Sequence, residues 1–245
     1  MKKRCMIIRC LGLLIFLTGM VRPVIGAPVN YCDHSLFPIR GGSQWIYSGT
    51  PLDPDVGYTL SVVAVAPAQT SSTAILTATF EDMGQVVPLG FVCDSGGIRL
   101  IEVDNFTIPL GTLGSITLSL TDQQGYLLPT INFIDSEKIW EMKILFNGKL
   151  FFAQSQKTIE VNGELEIHAE LIGKEDVEVA AGIFPDSYVI EQQVTWRLKG
   201  RGLDIVPEGF FTISHARIWY LAPGVGPVAA ELRGSRSELT SYIVK

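Results

Sequence analysis

The sequence predicts an all-β protein: a strongly twisted antiparallel sheet forming a half-barrel or partly open β-barrel, set behind an N-terminal signal peptide. Three observations predict it. Apolar and polar residues alternate with period 2 through most of the chain beyond residue 27, as in antiparallel strands with one buried and one wet face. No stretch of that region keeps helical periodicity over three turns. Gly, Asn, Pro and Ser punctuate it at short intervals, where turns between strands belong.

Taken in order, residues 1–26 read as an export signal. Lys2, Lys3, Arg4 and Arg9 form a basic n-region, Leu11 to Met20 an apolar h-region, and Val24-Ile25-Gly26 the cleavage site. The apolar run is much shorter than the roughly 20 residues of a spanning helix. Cleavage after Gly26 is expected, with no stable transmembrane span afterwards; a retained anchor is the alternative. Cys5 and Cys10 follow Arg4 and Arg9 rather than a lipobox triplet, which speaks against lipid attachment.

Residues 27–245 read as a single all-β domain. Leu36 to Arg40 is an irregular lead-in, and roughly a dozen strands fit between Gln44 and Val244. Ser95-Gly96-Gly97 marks a turn. In Ser115 to Leu120, Ile116, Leu118 and Leu120 alternate with Ser115, Thr117 and Ser119. Trp140, Met142, Ile144 and Phe146 share a face against Glu141 and Lys143. Asn147-Gly148 is expected as a two-residue hairpin turn, and Asn162-Gly163 does similar work. Leu165, Ile167, Ala169 and Leu171 then alternate with Glu164, Glu166, His168 and Glu170. From Tyr188 to Lys199, Ile190, Val194, Trp196 and Leu198 oppose Glu191, Gln193, Thr195, Arg197 and Lys199. Strands that long favour a twisted or partly closed sheet over a compact immunoglobulin-type sandwich. Pro223-Gly224 suits the centre of a type II turn. A weak echo sets Phe37, Trp45 and Tyr47 beside Phe133, Trp140 and Met142, with a pseudo-repeat boundary near 127–131; it does not establish two domains.

The chain has 19 Lys and Arg against 25 Asp and Glu, a net charge of −6 and a mean hydropathy of +0.29. Residues 1–26 hold five of the basic residues (Lys2, Lys3, Arg4, Arg9, Arg22) and no acidic one. Their removal leaves 14 basic against 25 acidic residues, about −11. No Lys/Arg cluster survives, so nucleic acid has no electrostatic basis as a partner. Two cysteines remain, Cys32 and Cys93. In an oxidising compartment they are expected to form one disulfide closing a loop of roughly 60 residues, with two free thiols as the alternative. His34 nearby is read as a turn cap.

Candidate chemistry is thin. His168 with Glu166 and Glu170 shares a strand face, but metal binding needs convergence, usually with a second element, and a solvated polar face explains the pattern. Ser214 and His215 are adjacent on a strand and point to opposite faces, so they cannot pair as nucleophile and base. Glu102 and Asp104 share a face as an acid/base pair would, and Asn105-Phe106-Thr107 matches a glycosylation acceptor. No Gly-x-Ser-x-Gly, His-Glu-x-x-His, Gly-x-Gly-x-x-Gly or P-loop occurs. The expectation is no catalytic residue, no metal and no cofactor.

Three stretches carry a family resemblance. Phe37-Pro38-Ile39-Arg40-Gly41-Gly42-Ser43-Gln44-Trp45-Ile46-Tyr47 is similar to an opening "YFPL-x-x-G-x-x-W-x-Y". Glu178-Val179-Ala180-Ala181-Gly182-Ile183-Phe184 is similar to "V-x-V-x-A-G-x-F". Trp219-Tyr220-Leu221-Ala222-Pro223-Gly224-Val225-Gly226-Pro227-Val228 is similar to "W-[YF]-A-P-G-V-G-x-V". Leu221 is an insertion, and Ile183 stands where Thr is usual. Together they resemble the TapB-like family of exported bacterial β-proteins of unknown function. The resemblance implies an architecture akin to periplasmic lipoprotein carriers, whose twisted half-barrel covers an apolar cavity, and it carries no catalytic residue. The motif residues have a structural reading of their own. Ala181-Gly182 suits a tight turn or bulge, and Trp45, Trp140, Trp196 and Trp219 suit core or cavity-lining aromatics.

The function these readings imply is an exported, non-catalytic domain, periplasmic or at the cell surface. It would bind a lipid, lipoprotein or other hydrophobic envelope component if the concave face is open. A structural or protein-interaction module of the envelope is the alternative, and a cryptic glycan or ester hydrolase comes third.

Overall fold

A computed structural model of the chain describes residues 28–50, 56–80, 84–100, 106–109, 114–200 and 212–245, and of 106–109 the backbone alone. Residues 1–26, expected as the signal peptide, the Glu102–Asp104 pair and Asn105 of the expected glycosylation motif lie outside the described residues.

Asp33–His34 (β1) and Phe37–Pro38 (β2) form a small antiparallel pair in the expected lead-in. His34 does cap the turn between them: its Nδ1 accepts the Leu36 amide at 3.0 Å, and Nε2 lies 2.8 Å from the Pro129 carbonyl. Cys32 and Cys93 are joined in a disulfide with their Cα atoms 5.1 Å apart, clasping this lead-in to the main sheet.

Among the described residues that sheet has 14 strands, all antiparallel to their neighbours. Its first half is a meander of Gln44–Tyr47 (β3), Tyr58–Pro67 (β4), Ser71–Phe80 (β5), Gln85–Asp94 (β6) and Gly97–Leu100 (β7). Phe106–Pro109 (β8), Gly114–Gly125 (β9) and Leu128–Pro129 (β10) follow, then the helix Ile131–Glu137 (α1). The second half holds the long strands Ile139–Phe152 (β11), Lys157–Val179 (β12) and Gly182–Gly200 (β13), then Thr212–Ala222 (β14), Gly226–Leu232 (β15) and Ser235–Ile243 (β16). Spatial order is β10-β7-β6-β5-β4-β3-β16-β15-β14-β13-β12-β11-β9-β8, so the last strand joins the two halves against β3.

The curl of this sheet follows from one short link. β10 is an edge strand and β9 lies next to the opposite edge, yet only Tyr126 and Leu127 separate Gly125 from Leu128. Three residue steps reach about 11 Å at most. The sheet must therefore curve until its two ends are near neighbours, although β8 and β10 do not pair and the barrel stays open. Register shifts between β4 and β5, β9 and β11, and twice between β12 and β13 supply the bends.

The alternation resolves as expected. Trp140, Met142, Ile144 and Phe146 are buried on β11, as are Leu165, Ile167, Ala169 and Leu171 on β12. Pro223-Gly224 forms its turn, with Gly224 at φ 76° and the Val225 amide donating to the Ala222 carbonyl at 3.1 Å. Ala180 and Ala181 form the tight turn between β12 and β13, and Ser95-Gly96 the one before β7.

Two expected turns are corrected. Asn147-Gly148 and Asn162-Gly163 lie inside β11 and β12, paired Asn147 with Asn162 and Phe146 with Gly163, and neither glycine has the positive φ of a hairpin turn. The strands join at residues 153–156 instead. These glycines answer a close approach: a Cβ on Gly163 would stand 2.4 Å from the Arg197 carbonyl oxygen and 2.7 Å from the Phe146 ring, and one on Gly148 2.4 Å from the Thr117 carbonyl oxygen.

The helix α1 is the element that periodicity missed. It has seven residues, buries Ile134 and ends at Lys138 with φ 62°, whose amide donates to the Ile134 carbonyl at 3.2 Å. Of the echoed residues, Phe37, Trp45, Tyr47, Trp140 and Met142 are buried, while Phe133 is 42% exposed on α1.

Candidate functional site

The inner face of the sheet divides into two apolar clusters. The first gathers Leu36, Ile39, Trp45, Leu76, Ile98, Ile134, Ile190 and Leu221 among others, drawn from β2 to β7, α1 and β11 to β16. It is a filled core. The second is built almost wholly by β9, β11, β12 and β13: Ile116, Leu118, Met142, Ile144, Phe146, Leu150, Val161, Leu165, Ile167 and Val194. Among the described residues only Leu100 and Leu127 reach it from outside those four strands, and Leu120, Phe152, Ile159, Trp196 and Leu198 on it are half-buried.

A polar pair sits where the clusters meet. Register between β13 and β14 sets Ile190 opposite Trp219, Gln192 opposite Arg217, Val194 opposite His215 and Trp196 opposite Ile213. Strand geometry puts these pairs on one face, the inner one, since Ile190 belongs to the first cluster and Val194 to the second. Gln192 is buried, and its Oε1 accepts the Arg217 Nε–H at 2.7 Å. The guanidinium of Arg217 lies 4.7 Å from the centre of the Trp219 ring. No carboxylate among the described residues pairs with it. Burial pushes its guanidinium down to about 10, still far above neutrality, so it stays charged. Burial first, then the charges of Arg217 and Arg233, hold His215 below the usual imidazole range. A cationic spot therefore faces inward in an acidic chain. Ile213, two inward positions from Arg217 on β14, is 49% exposed. A polar hollow of about 530 Å³ lies on the other side of the sheet, among Thr117, Asn147, Lys149, Glu160, Asn162 and Lys199.

Sequence reasoning missed Arg217 and Gln192. The signal was a break in the alternation: Gln192 occupies an inward position between Ile190 and Val194.

Glu166 is held by Arg197 at 2.5 Å and Lys143 at 3.3 Å, while His168 pairs with Glu141 at 3.0 Å, so these side chains turn to separate partners. Those cations keep the carboxyls of Glu164 and Glu166 below the ordinary range. Ser214 lies 3.1 Å from Thr195 on the outer face, and His215 points inward. The first and third motif stretches come together: Trp45 Nε1–H donates to the Val225 carbonyl at 2.6 Å, and the Tyr47 hydroxyl to that of Pro227 at 2.8 Å. Gly226 faces the Trp45 and Phe37 rings, and the Gly224 amide donates to the Ser35 carbonyl. Phe37, Pro38, Tyr220, Leu221 and Ala222 are buried, while Gly41 is exposed. In the second stretch, the Ala181 amide donates to the Leu239 carbonyl, and Phe184 packs beside Tyr242 next to the exposed Gly182.

No protein-family model matches the chain, and no curated protein matches it. Among solved structures it is similar to a "putative exported protein with YmcC-like fold" from Bacteroides fragilis, at TM-score 0.48 and 12% identity, covering 85% of this chain and 98% of that one. It is also similar to a "putative lipoprotein" from Parabacteroides distasonis, at TM-score 0.45 and 12% identity, covering 86% and 99%. The TapB-like name is not among these matches. Likenesses at this level carry nothing about what the chain binds.

Proposed function

We propose that the protein is an exported, non-catalytic binding domain whose inner face takes a hydrophobic component of the cell envelope, a lipid or the acyl chain of a lipoprotein. One observation carries the reading. The second apolar cluster lines the concave side of four long strands, two side chains reach it from elsewhere among the described residues, and Trp196 and Leu198 stand half-covered at its rim. A sheet face of that breadth gains stability by burial, and an acyl chain lying along it would cover what the described residues leave half-exposed. The filled first cluster narrows the expected cavity to this half of the molecule. The signal segment supports an extracytoplasmic site of action, and the Cys32–Cys93 disulfide suits an oxidising compartment.

The test is displacement of an uncharged fluorescent probe, N-phenylnaphthylamine, from purified protein lacking residues 1–26. Saturable binding, displaced by dodecanol and lost in Leu198→Glu, is expected. A linear, unsaturable signal would sink the reading.

A second reading has its own observation. β4, β5 and β6 carry no charged side chain before Asp94, and Val63, Ile75 and Val86 are exposed there. A protein partner packed on that outer surface would make the chain an interaction module. It predicts co-purifying protein and no lipid.

A further inference from the structure

The structure assigns the ligand of the inner face an anionic head, a carboxylate or phosphate, which Arg217 takes while the apolar body lies along the second cluster. This inference rests on the reading just given and names its ligand class.

Arg217 has an incomplete set of contacts among the described residues. A guanidinium has five N–H donors in a planar fork, and Arg217 uses Nε on Gln192. Its terminal nitrogens have no hydrogen-bond partner among the described residues, and its other contact is the face of Trp219. Other arginines of the sheet are matched: Arg197 with Glu164 and Glu166, Arg236 with Glu231 and Glu238, Arg99 with Asp94. Among the described residues Arg217 stands apart as a half-buried cation without a carboxylate.

The surroundings turn that deficit into a direction. The buried Gln192 and the Trp219 ring fix the guanidinium on two sides, which orients the free fork. Such a fork matches the oxygens of a carboxylate or phosphate in bidentate geometry. His215 lies one inward position away on β14, so a second basic side chain shares this face. A cation with no carboxylate partner among the described residues is costly in a partly dry site, and an anion settling there is stabilised more than at the surface. Trp196, Val194 and Leu198 continue from the same spot into the half-covered apolar cluster. A charged end beside a long apolar strip fits a single-chain amphiphile lying head to Arg217.

The experiment titrates the protein lacking residues 1–26 with dodecanoate, dodecyl phosphate, dodecanol and inorganic phosphate, by calorimetry below the micellar range. Dodecanoate or dodecyl phosphate is expected to bind at least about tenfold tighter than dodecanol, the worth of one charge-assisted hydrogen bond. Arg217→Gln is expected to erase that preference and leave dodecanol binding unchanged. Should Arg217→Gln not fold, Arg217→Met keeps the stem over Trp219, and the wild-type preference of acid over alcohol decides alone. Equal affinity for acid and alcohol, or a preference that survives in the variant, overturns the proposal and leaves the apolar-face reading standing. Failure of every amphiphile overturns both. Saturable binding of inorganic phosphate without dodecanol binding keeps the anion site and removes the acyl chain.

Discussion

His34 shows how one side chain ties a terminal segment to the sheet. It is buried, accepts the Leu36 amide and contacts the Pro129 carbonyl, a pattern that suits the neutral ring. Burial holds its pKa below the ordinary 6.5. The unfolded chain therefore takes up the proton first, so stability is full above that value and falls as the pH drops towards the folded pKa. His215 adds in the same direction. The melting temperature is expected to decline between about pH 7.5 and 5, and less steeply in His34→Gln; equal slopes would contradict this. Glycines make a second residue-scale prediction. Gly163→Val drives methyl groups into the Arg197 carbonyl and the Phe146 ring and should cost roughly 1–3 kcal/mol or more in chemical denaturation. Gly173, with nothing within 4 Å of a built Cβ, should accept alanine within about 0.5 kcal/mol. Similar losses at both positions would remove the close-approach argument.

At the scale of elements, the strands were legible because sidedness is written in a period of two, and β11 to β13 bury the faces that alternation assigns. Their lengths were not. Asn-Gly reads the same in a hairpin turn and inside a strand, and the carbonyl that crowds Gly148 or Gly163 belongs to a strand remote in sequence. The helix α1 was hidden because seven residues are under two turns, too few for a 3.6-residue period to repeat. Its place depends on tertiary bonds: Asp135 accepts from Lys174 at 3.0 Å and from the Tyr188 hydroxyl at 3.1 Å. The disulfide was legible by counting, since residues 27–245 hold two cysteines. It spans a sequence separation of 61, and replacing both cysteines by alanine should cost about 4 kcal/mol on the chain-entropy account. A loss near zero in equilibrium unfolding would place the clasp of the lead-in on His34 and packing instead.

At the scale of the whole molecule, the sequence pattern predicted a curved sheet with an apolar concave side, and the two-residue link from β9 to β10 explains why it curls. What no local pattern could show is that this side is unequal. The lead-in, α1 and the first meander fill one half, while β9 and β11 to β13 leave Trp196 and Leu198 half-covered in the other. Gln192 and Arg217 mark the border, and their pairing across 25 residues of sequence is a product of register. The four tryptophans sample both halves: Trp45 and Trp140 lie buried in the filled core, while Trp219 stands half-buried against Arg217 and Trp196, also half-buried, lies two inward positions further along the same face. The most direct measurement is the set of four indole N–H resonances during titration with dodecanoate. The account predicts saturable shifts for Trp196 and Trp219 with Trp45 and Trp140 unmoved. No shift at Trp196 and Trp219, or equal shifts at all four, would contradict it.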